Sequence, residues 1–150
     1  MEAEPTRAIA TVARIGDGDT LDLRSGARVR LVQIDAPELG EGECHARESK
    51  VELERLATPG QQVELEADSQ LDGTDRYGRL LRYVLVADSN VNVELVRRGA
   101  ATPYFRSGDE GTYADELLDA VADARDAGRG MWGSCQVSWD PNRTVTTHRR

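Results

Sequence analysis

Three short apolar segments near the start of the chain, separated by two-residue turns, constrain the fold most strongly. Residues 8–15, 19–24 and 28–35 are rich in β-branched and other apolar side chains, as β-strands are. Asp17-Gly18 separates the first two segments and Ser25-Gly26 separates the second and third, and both dipeptides favour turns. The pattern predicts a three-stranded meander with apolar side chains available for burial.

The rest of the chain supplies the elements that would complete a small barrel. We predict helices at 46–57, 92–98 and 112–127 and further strands at 62–67 and 79–86. Thr112 is the expected N-cap of the last helix. Five strands, with the first helix between the third and fourth, predict the α+β class: a five-stranded Greek-key β-barrel of the oligonucleotide-binding (OB) fold with three α-helices. The expected organisation is a flexible lead-in (1–7), one OB-fold domain (8–135) and a polar, disordered tail (136–150).

Acidic residues lie at two places where predicted strands begin or end. Asp19 follows the first turn, and Asp35 and Glu38 lie where the third strand ends at Pro37. Each motif alone is most often a turn or a loop. If neighbouring strands bring the two together, the carboxylates repel one another and their pKa values rise unless a cation neutralises them. A hard divalent ion, which prefers oxygen ligands, is the expected partner.

Two arginines accompany these carboxylates. Arg30 interrupts an otherwise apolar strand, and Arg79 closes the stretch Asp75-Arg76-Tyr77-Gly78-Arg79. A half-buried guanidinium needs an anion, and its planar fork matches two phosphate oxygens. Together, the carboxylates and arginines predict a metal and a phosphate held at one site.

Composition limits the function classes without choosing among them. The formal net charge of −8 argues against non-specific coating of nucleic acid, although local arginines and a metal could still bind phosphate at one cleft. Lys50 is the only lysine, which fits either adaptation to high salt or a GC-rich genome. No apolar run is long enough to cross a membrane, so no membrane partner is expected, and a monomer is expected.

Compartment and cysteine state stay open at the level of sequence. Residues 1–5 lack the basic and apolar regions of a signal peptide, so the protein is either intracellular or secreted after removal of a leader. Cys44 and Cys135 form a disulfide only if that compartment is oxidising. Bonded and free cysteines both remain open.

Taken in order, these motifs resemble the thermonuclease (staphylococcal, or micrococcal, nuclease) family over residues 9–134. The matching stretches are Asp17-Gly18-Asp19-Thr20, Arg30 five residues before Asp35-Ala36-Pro37-Glu38, Asp75-Arg76-Tyr77-Gly78-Arg79, Leu95 to Ala100, and Gly130-Met131-Trp132. Any one of them is weak, but the ordered set is specific. The resemblance implies a calcium-dependent nuclease that hydrolyses DNA and RNA, preferably single-stranded, and leaves 3′-phosphates and 5′-hydroxyls.

The resemblance also implies roles for individual residues. One Ca²⁺ would be bound by Asp19, Asp35 and the backbone carbonyl of Ala36. Glu38 would orient or deprotonate the attacking water. Ala36 stands where the family commonly has threonine, which leaves a backbone ligand unaffected.

The substrate would be held by arginines and aromatic rings. Arg30 and Arg79 would bind the scissile phosphate, and Arg76 and Tyr77 would hold a neighbouring phosphate. Tyr104 is the expected base-stacking residue. Arg76 replaces a common lysine, and the lysine-rich surface of relatives is missing.

Two other readings remain open. The first is a non-catalytic OB-fold module that binds nucleic acid or peptides; related domains without activity usually lack one of the carboxylates or arginines, which this chain retains. The second is a barrel that binds a divalent ion for stability only, which leaves Arg30 and Arg79 without an anion.

Overall fold

The structure of the protein, a computed structural model, describes residues 7–150. Residues 1–6 of the expected lead-in lie outside the described residues, whereas Arg7 already belongs to the first strand. The strands are β1 (Arg7–Asp17), β2 (Thr20–Leu23), β3 (Arg28–Leu31), β4 (Ile34–Asp35), β5 (Gln62–Glu66), β6 (Leu80–Val86), β7 (Ser89–Asn90), β8 (Thr102–Pro103), β9 (Cys135–Ser138) and β10 (Thr146–Arg149). The helices are α1 (Ala46–Leu56), α2 (Val91–Arg97), α3 (Ala114–Ala127) and the single turn α4 (Met131–Ser134), with a 3₁₀ turn at Arg106–Gly108.

Five of these strands close into a barrel. β1 pairs antiparallel with both β2 and β5, β2 pairs antiparallel with β3, and β5 pairs antiparallel with β6. Parallel pairing of β3 with β6 closes the ring, with Arg30 opposite Leu81. The predicted α+β class and five-stranded OB-type barrel with helices around it are confirmed. The barrel interior is filled by aliphatic side chains such as Val12, Leu21, Val29 and Leu31, each fully buried.

The predicted third strand is shorter than expected, because Gln33 turns the chain out of the barrel. Gln33 has a φ of 67°, and its side chain fixes that conformation by donating to the Asp109 carbonyl (3.0 Å) and accepting from the Gly111 N–H (2.8 Å). Residues 34–35 therefore form β4, which pairs with β8 and places Asp35 opposite Thr102. This turn moves Asp35 from the barrel wall to its rim.

α1 packs against β1 and α2 against β6 of the barrel, while α3 packs on α2 and β8. α1 buries Ala46, Ser49 and Leu53. The predicted N-cap of α3 is wrong: the helix begins after Tyr113, while the Thr112 N–H and hydroxyl both donate to the carboxylate of Asp68, at 2.8 and 3.2 Å. No helix within residues 7–150 is both long enough and apolar enough to traverse a membrane.

The C-terminal segment 136–150, expected to be disordered, forms a hairpin instead. β9 and β10 pair antiparallel, with Thr147 opposite Val137. Cys44 and Cys135 form a disulfide, with Cα atoms 6.1 Å apart, which decides the question that the sequence left open. Apolar packing of Val145 on Met131 and Cys135 adds to this anchor, and neither contact has a local signature in the sequence.

Candidate active site

The two acidic motifs meet at one guanidinium group. Asp19 follows Gly18 in the turn between β1 and β2, and Asp35 lies in β4. Arg30 Nη2 lies 3.2 Å from Asp19 Oδ2 and 3.2 Å from Asp35 Oδ1. Only 4% of the Asp19 surface and 3% of the Asp35 surface are exposed. Two carboxylates, one from a turn and one from a strand, are thus brought together at the barrel rim around Arg30.

Asp19 is held by hydrogen bonds on both oxygens. The Ala36 N–H donates to Oδ2 at 2.8 Å and the Thr20 hydroxyl donates to Oδ1 at 3.0 Å. Burial alone would raise the pKa of Asp19, but Arg30 and these hydrogen bonds outweigh burial and hold the pKa below its ordinary value. Asp19 is therefore a fixed negative charge in the site.

The neighbouring carboxyl groups respond to that charge. Burial, and then the charge of Asp19, raise the pKa of Asp35 to about 7 and the pKa of Asp17 to about 7. The pKa of Glu38 is also raised, by desolvation first and then by Asp19. One guanidinium does not offset this concentration of negative charge, and an added cation would favour the ionised forms.

The structure differs here from the convergence of three carboxylates that the sequence predicted. Within residues 7–150, no three His, Cys, Asp or Glu side chains form a group that could hold a metal ion. Asp19 and Asp35 meet directly, whereas Glu38 lies in the exposed loop that follows. The predicted ligand set contains only two carboxylates, those of Asp19 and Asp35, together with one backbone carbonyl, so it does not require Glu38.

Arg30 obtains its anions from within the protein. Besides the two carboxylates, its Nη1 donates to the carbonyls of Leu31 (2.7 Å) and Ile34 (2.9 Å). These bonds fix the turn around Gln33 that positions Asp35. Burial of Arg30 therefore does not by itself require a phosphate.

Arg79 lines a cleft beside the turn between β2 and β3, and Asp19, Arg30 and Asp35 are not among the residues that line it. Arg79 directly precedes Leu80 of β6, which pairs with Val29, so Arg79 comes just before a strand that is adjacent to the one carrying Arg30. Asp75 accepts from Arg79 Nε at 2.7 Å and fixes the side chain. The cleft has a volume of about 690 Å³ and is lined by Asp22, Gly26, Ala27, Arg28, Tyr77, Gly78 and Arg79.

Arg76 and Tyr77 form an exposed cluster with Arg79. Arg76 Nη2 donates to the Tyr77 hydroxyl at 2.6 Å. The guanidinium carbons of Arg76 and Arg79 lie 4.9 and 5.5 Å from the centre of the Tyr77 ring, within cation–π range. Tyr77 has 67% of its surface exposed, so its ring is open to the solvent with the two guanidinium groups beside it.

Tyr104 lies apart from the lining of this cleft. Its N–H donates to the Gln33 carbonyl at 2.8 Å, directly after β8, and its side chain is partly exposed. The neighbouring Phe105 is only 2% exposed and cannot stack on a base. Tyr104 is thus the accessible aromatic residue of the pair.

Several residues that shape the site were missed or undervalued in the sequence. Asp75 fixes Arg79 from four positions away, a spacing that was visible within the same motif. Asp17 accepts from the Asp19 N–H at 3.1 Å and was visible only as a turn residue. Val145 donates its N–H to Asp35 Oδ2 at 2.8 Å, and nothing in the sequence indicates this contact.

Fold and site together define an OB-fold protein with an acidic, arginine-containing site at the rim of its barrel. The family model described as "Staphylococcal nuclease homologue" matches residues 28–134. The chain belongs to this family, which confirms the resemblance seen in its motifs.

Curated relatives agree with this membership. The chain is 33% identical over 137 residues to "Endonuclease YhcR" of Bacillus subtilis (strain 168), a match that covers 81% of this chain and 11% of that protein. It is 34% identical over 125 residues to an "Uncharacterized endonuclease" of Haemophilus influenzae, covering 81% of this chain and 64% of the relative. It is 32% identical over 100 residues to the "Thermonuclease" of Staphylococcus intermedius, a match that covers 63% of this chain and 58% of that protein. The chain spans less than two thirds of each of these three relatives.

Proposed function

We propose that this chain is a calcium-dependent nuclease that hydrolyses phosphodiester bonds of DNA and RNA. The observation that carries the proposal is the meeting of Asp19 and Asp35 on Arg30, on a strand adjacent to the one that Arg79 precedes. The names of relatives, endonuclease and thermonuclease, support nuclease activity in general. A single chain supplies every proposed residue, which is consistent with a monomeric enzyme.

One Ca²⁺ would be held by Asp19, Asp35 and the backbone carbonyl of Ala36. The donor set fits, because all three groups offer hard oxygen atoms. Burial and the neighbouring Asp19 charge raise the pKa of Asp35 to about 7, and a bound cation would relieve this repulsion by favouring the ionised carboxylate. When bound, calcium supplies positive charge that offsets the charge developing on phosphate oxygens.

Arg30 and Arg79 would bind the scissile phosphate. Asp75 engages only Nε of Arg79 among the hydrogen bonds of the described residues, so the terminal nitrogens can donate to two phosphate oxygens. Arg30 Nη2, which donates to Asp35 in the structure, would then donate to the scissile phosphate. Both guanidiniums stay protonated at working pH and stabilise the charge of the transition state.

Glu38 would act as the general base or orient the attacking water. Its raised pKa, due to desolvation and then to Asp19, brings it closer to neutral pH and makes it a better base than an ordinary carboxylate. The water oxygen forms a bond to phosphorus as the bond to the 5′-oxygen breaks in line. Glu38 takes the proton of the water and the 5′-oxygen takes one from solvent, leaving a 3′-phosphate.

Arg76, Tyr77 and Tyr104 would hold the flanking substrate. The exposed Tyr77 ring with two guanidiniums offers both stacking and charge, which suits single-stranded nucleic acid. Arg76 would bind the next phosphate, and Tyr104 would stack on a base from the side of β8. Because the net charge is −8, the protein as a whole repels nucleic acid, so the metal and the local arginine geometry would carry more of the affinity.

A non-catalytic OB-fold module is the alternative. Arg30 and Arg79 both have carboxylate partners within the protein, so they can serve the barrel alone. On this reading the cleft would bind nucleic acid without cutting it. The two proposals differ in one measurement, the cleavage of a labelled strand.

The test is cleavage of end-labelled single-stranded DNA with calcium, with an added chelator, and after calcium is restored in excess. We expect cleavage with calcium, loss of cleavage with the chelator and recovery on restoration. Asp19→Asn should remove most activity, whereas Asp126→Asn, on the exposed face of α3, should not. Cleavage that persists unchanged in the chelator would remove the metal from the mechanism, and binding without cleavage under all conditions would favour the module.

A further inference from the structure

The C-terminal hairpin reaches into the site that the barrel builds. The Val145 N–H, just before β10, donates to Asp35 Oδ2 at 2.8 Å, and both residues are only 3% exposed. Arg30 engages the other oxygen, Oδ1. Asp35 is thus oriented from two sides, one by the barrel and one by a backbone group 110 residues further along the chain.

Glu43 forms a second link between the hairpin and the site. Its Oε1 accepts from the Glu38 N–H at 2.7 Å, and its Oε2 accepts from the Thr147 N–H at 3.1 Å. The Glu43 N–H also donates to the Glu38 carbonyl at 3.1 Å. One carboxylate therefore joins the backbone that carries the proposed general base to the middle of β10.

A third link fastens the hairpin covalently. The Thr147 hydroxyl donates to the Cys44 carbonyl at 2.7 Å, and Cys44 forms a disulfide with Cys135 at the start of β9. The loop over residues 39–45 is therefore joined to β10 by a hydrogen bond and to β9 by a disulfide. The loop contains Gly40 and Gly42 and the acidic Glu41, so by itself it would sample many conformations.

We infer that the hairpin of β9 and β10 is a positioning element of the active site, with Glu43 as the positioning residue and the Cys44–Cys135 disulfide as its fastening. The inference rests on the proposed function. Glu43 holds Glu38 in place, Val145 holds Asp35, and the disulfide keeps the hairpin docked. A dithiol that reduces the disulfide transfers two electrons and two protons to it, gives two thiols, becomes a cyclic disulfide itself and releases the hairpin.

The first test compares Glu43→Ala, Glu43→Gln and the control Glu41→Gln in the full-length chain. Glu43→Ala removes both side-chain acceptors, and we expect a loss in kcat of about 10- to 100-fold, as is common for residues that orient ligands. Glu43→Gln keeps one acceptor and should lie between Glu43→Ala and the wild type. KM for single-stranded DNA should hardly change, because the Tyr77 cluster is separate. Glu41 is exposed on the same loop, and Glu41→Gln should act like the wild type.

The second test removes the fastening. The double variant Cys44→Ser with Cys135→Ser, and the wild type treated with a dithiol, should both lose about tenfold in kcat, while far-UV circular dichroism keeps the barrel signal. Calcium affinity, measured by calorimetry without substrate, should fall in parallel because Asp35 loses its backbone donor. Amide hydrogen exchange at Glu38, Val145 and Thr147 should become faster.

The outcomes separate the two proposals. If the oxidised wild type cuts DNA and the reduced protein cuts equally well with unchanged calcium affinity, the inference is wrong and the nuclease proposal stands. If the oxidised wild type cuts nothing, the nuclease proposal is wrong. Amide exchange then decides the inference: slow exchange at Glu38 in Glu43→Ala overturns it, and fast exchange supports it.

Discussion

Replacing Gly18 with alanine tests whether the close approach of the β1–β2 turn to Ala36 and to helix α1 positions Asp19. A Cβ atom at Gly18 would lie 2.8 Å from Ala36 Cβ and 2.8 Å from Ser49 Cβ, and 3.3 Å from the Ser49 backbone carbon. Carbon atoms normally pack at about 3.5–4.0 Å. None of the three atoms can move by side-chain rotation, since each is fixed to the main chain. The turn between β1 and β2 must therefore shift.

The size of the effect follows from that overlap. Overpacking of this kind costs about 1–3 kcal/mol of the free energy of unfolding. For a chain of this length, a loss of about 2 kcal/mol lowers Tm by about 4–8 °C. The same shift moves Asp19 away from the Ala36 N–H, which it accepts at 2.8 Å, and a misplacement of about 1 Å can cost about 100-fold in rate.

Gly16→Ala is the matched control, two residues earlier and within the last residues of β1. A Cβ at Gly16 would meet Thr20 at 3.5–3.8 Å, which is ordinary contact. We expect Gly16→Ala to keep Tm within about 3 °C of the wild type, and Gly18→Ala to lower both Tm in calorimetry and kcat on labelled DNA. Equal melting of the two variants, or a larger loss in Gly16→Ala, would refute the close-approach argument.

Three further variants test the site and the core. Arg79→Ala should lower kcat about 100-fold or more because a preorganised donor to the phosphate is lost, whereas Arg47→Ala, exposed on α1, should act like the wild type in the same assay. Glu38→Gln should lower kcat about 100-fold without lowering Tm, and an unchanged rate would remove Glu38 from the mechanism. Burial alone would raise the pKa of Asp68, but hydrogen bonds from Tyr83, Gln70 and Thr112 hold that pKa below its ordinary value. The ionised Asp68 therefore stabilises the fold at any pH above the ordinary pKa. This stabilisation is lost as the pH falls through the lowered pKa of the folded protein. Asp68→Asn should cost about 1.5–3 kcal/mol in urea unfolding at neutral pH and less in acid, while the exposed Asp72→Asn should cost little at either pH.

The barrel was predictable because its signals are local. Apolar segments broken by Asp17-Gly18 and Ser25-Gly26 determine β1, β2 and β3 through turn preferences and strand periodicity. The helix over 46–57 and the strand over 79–86 follow from the same kind of pattern. Local preference also explains why Thr112 misled: its hydroxyl suits an N-cap, but Asp68 binds it from 44 residues away.

Part of the candidate site was predictable for a different reason. Asp19 lies in the turn directly before Thr20, which pairs with Arg30, so the predicted meander by itself brings Asp19 close to Arg30. The exit of Asp35 from the barrel depends on Gln33, whose side chain is held by residues 109 and 111. Nothing near Gln33 in the sequence indicates that turn.

By itself the sequence determined the individual strands and helices, the meander of β1, β2 and β3, and the carboxylates and arginines that could share a site, because each depends on residues close together in the chain. Only the tertiary structure decided that Asp19 sits against Ala36 and Ser49, that Val145 holds Asp35 and that Glu43 joins Glu38 to Thr147. These contacts join positions far apart in sequence. Their partners are chosen by the path of the whole chain and its disulfide, which local preferences of single residues do not encode.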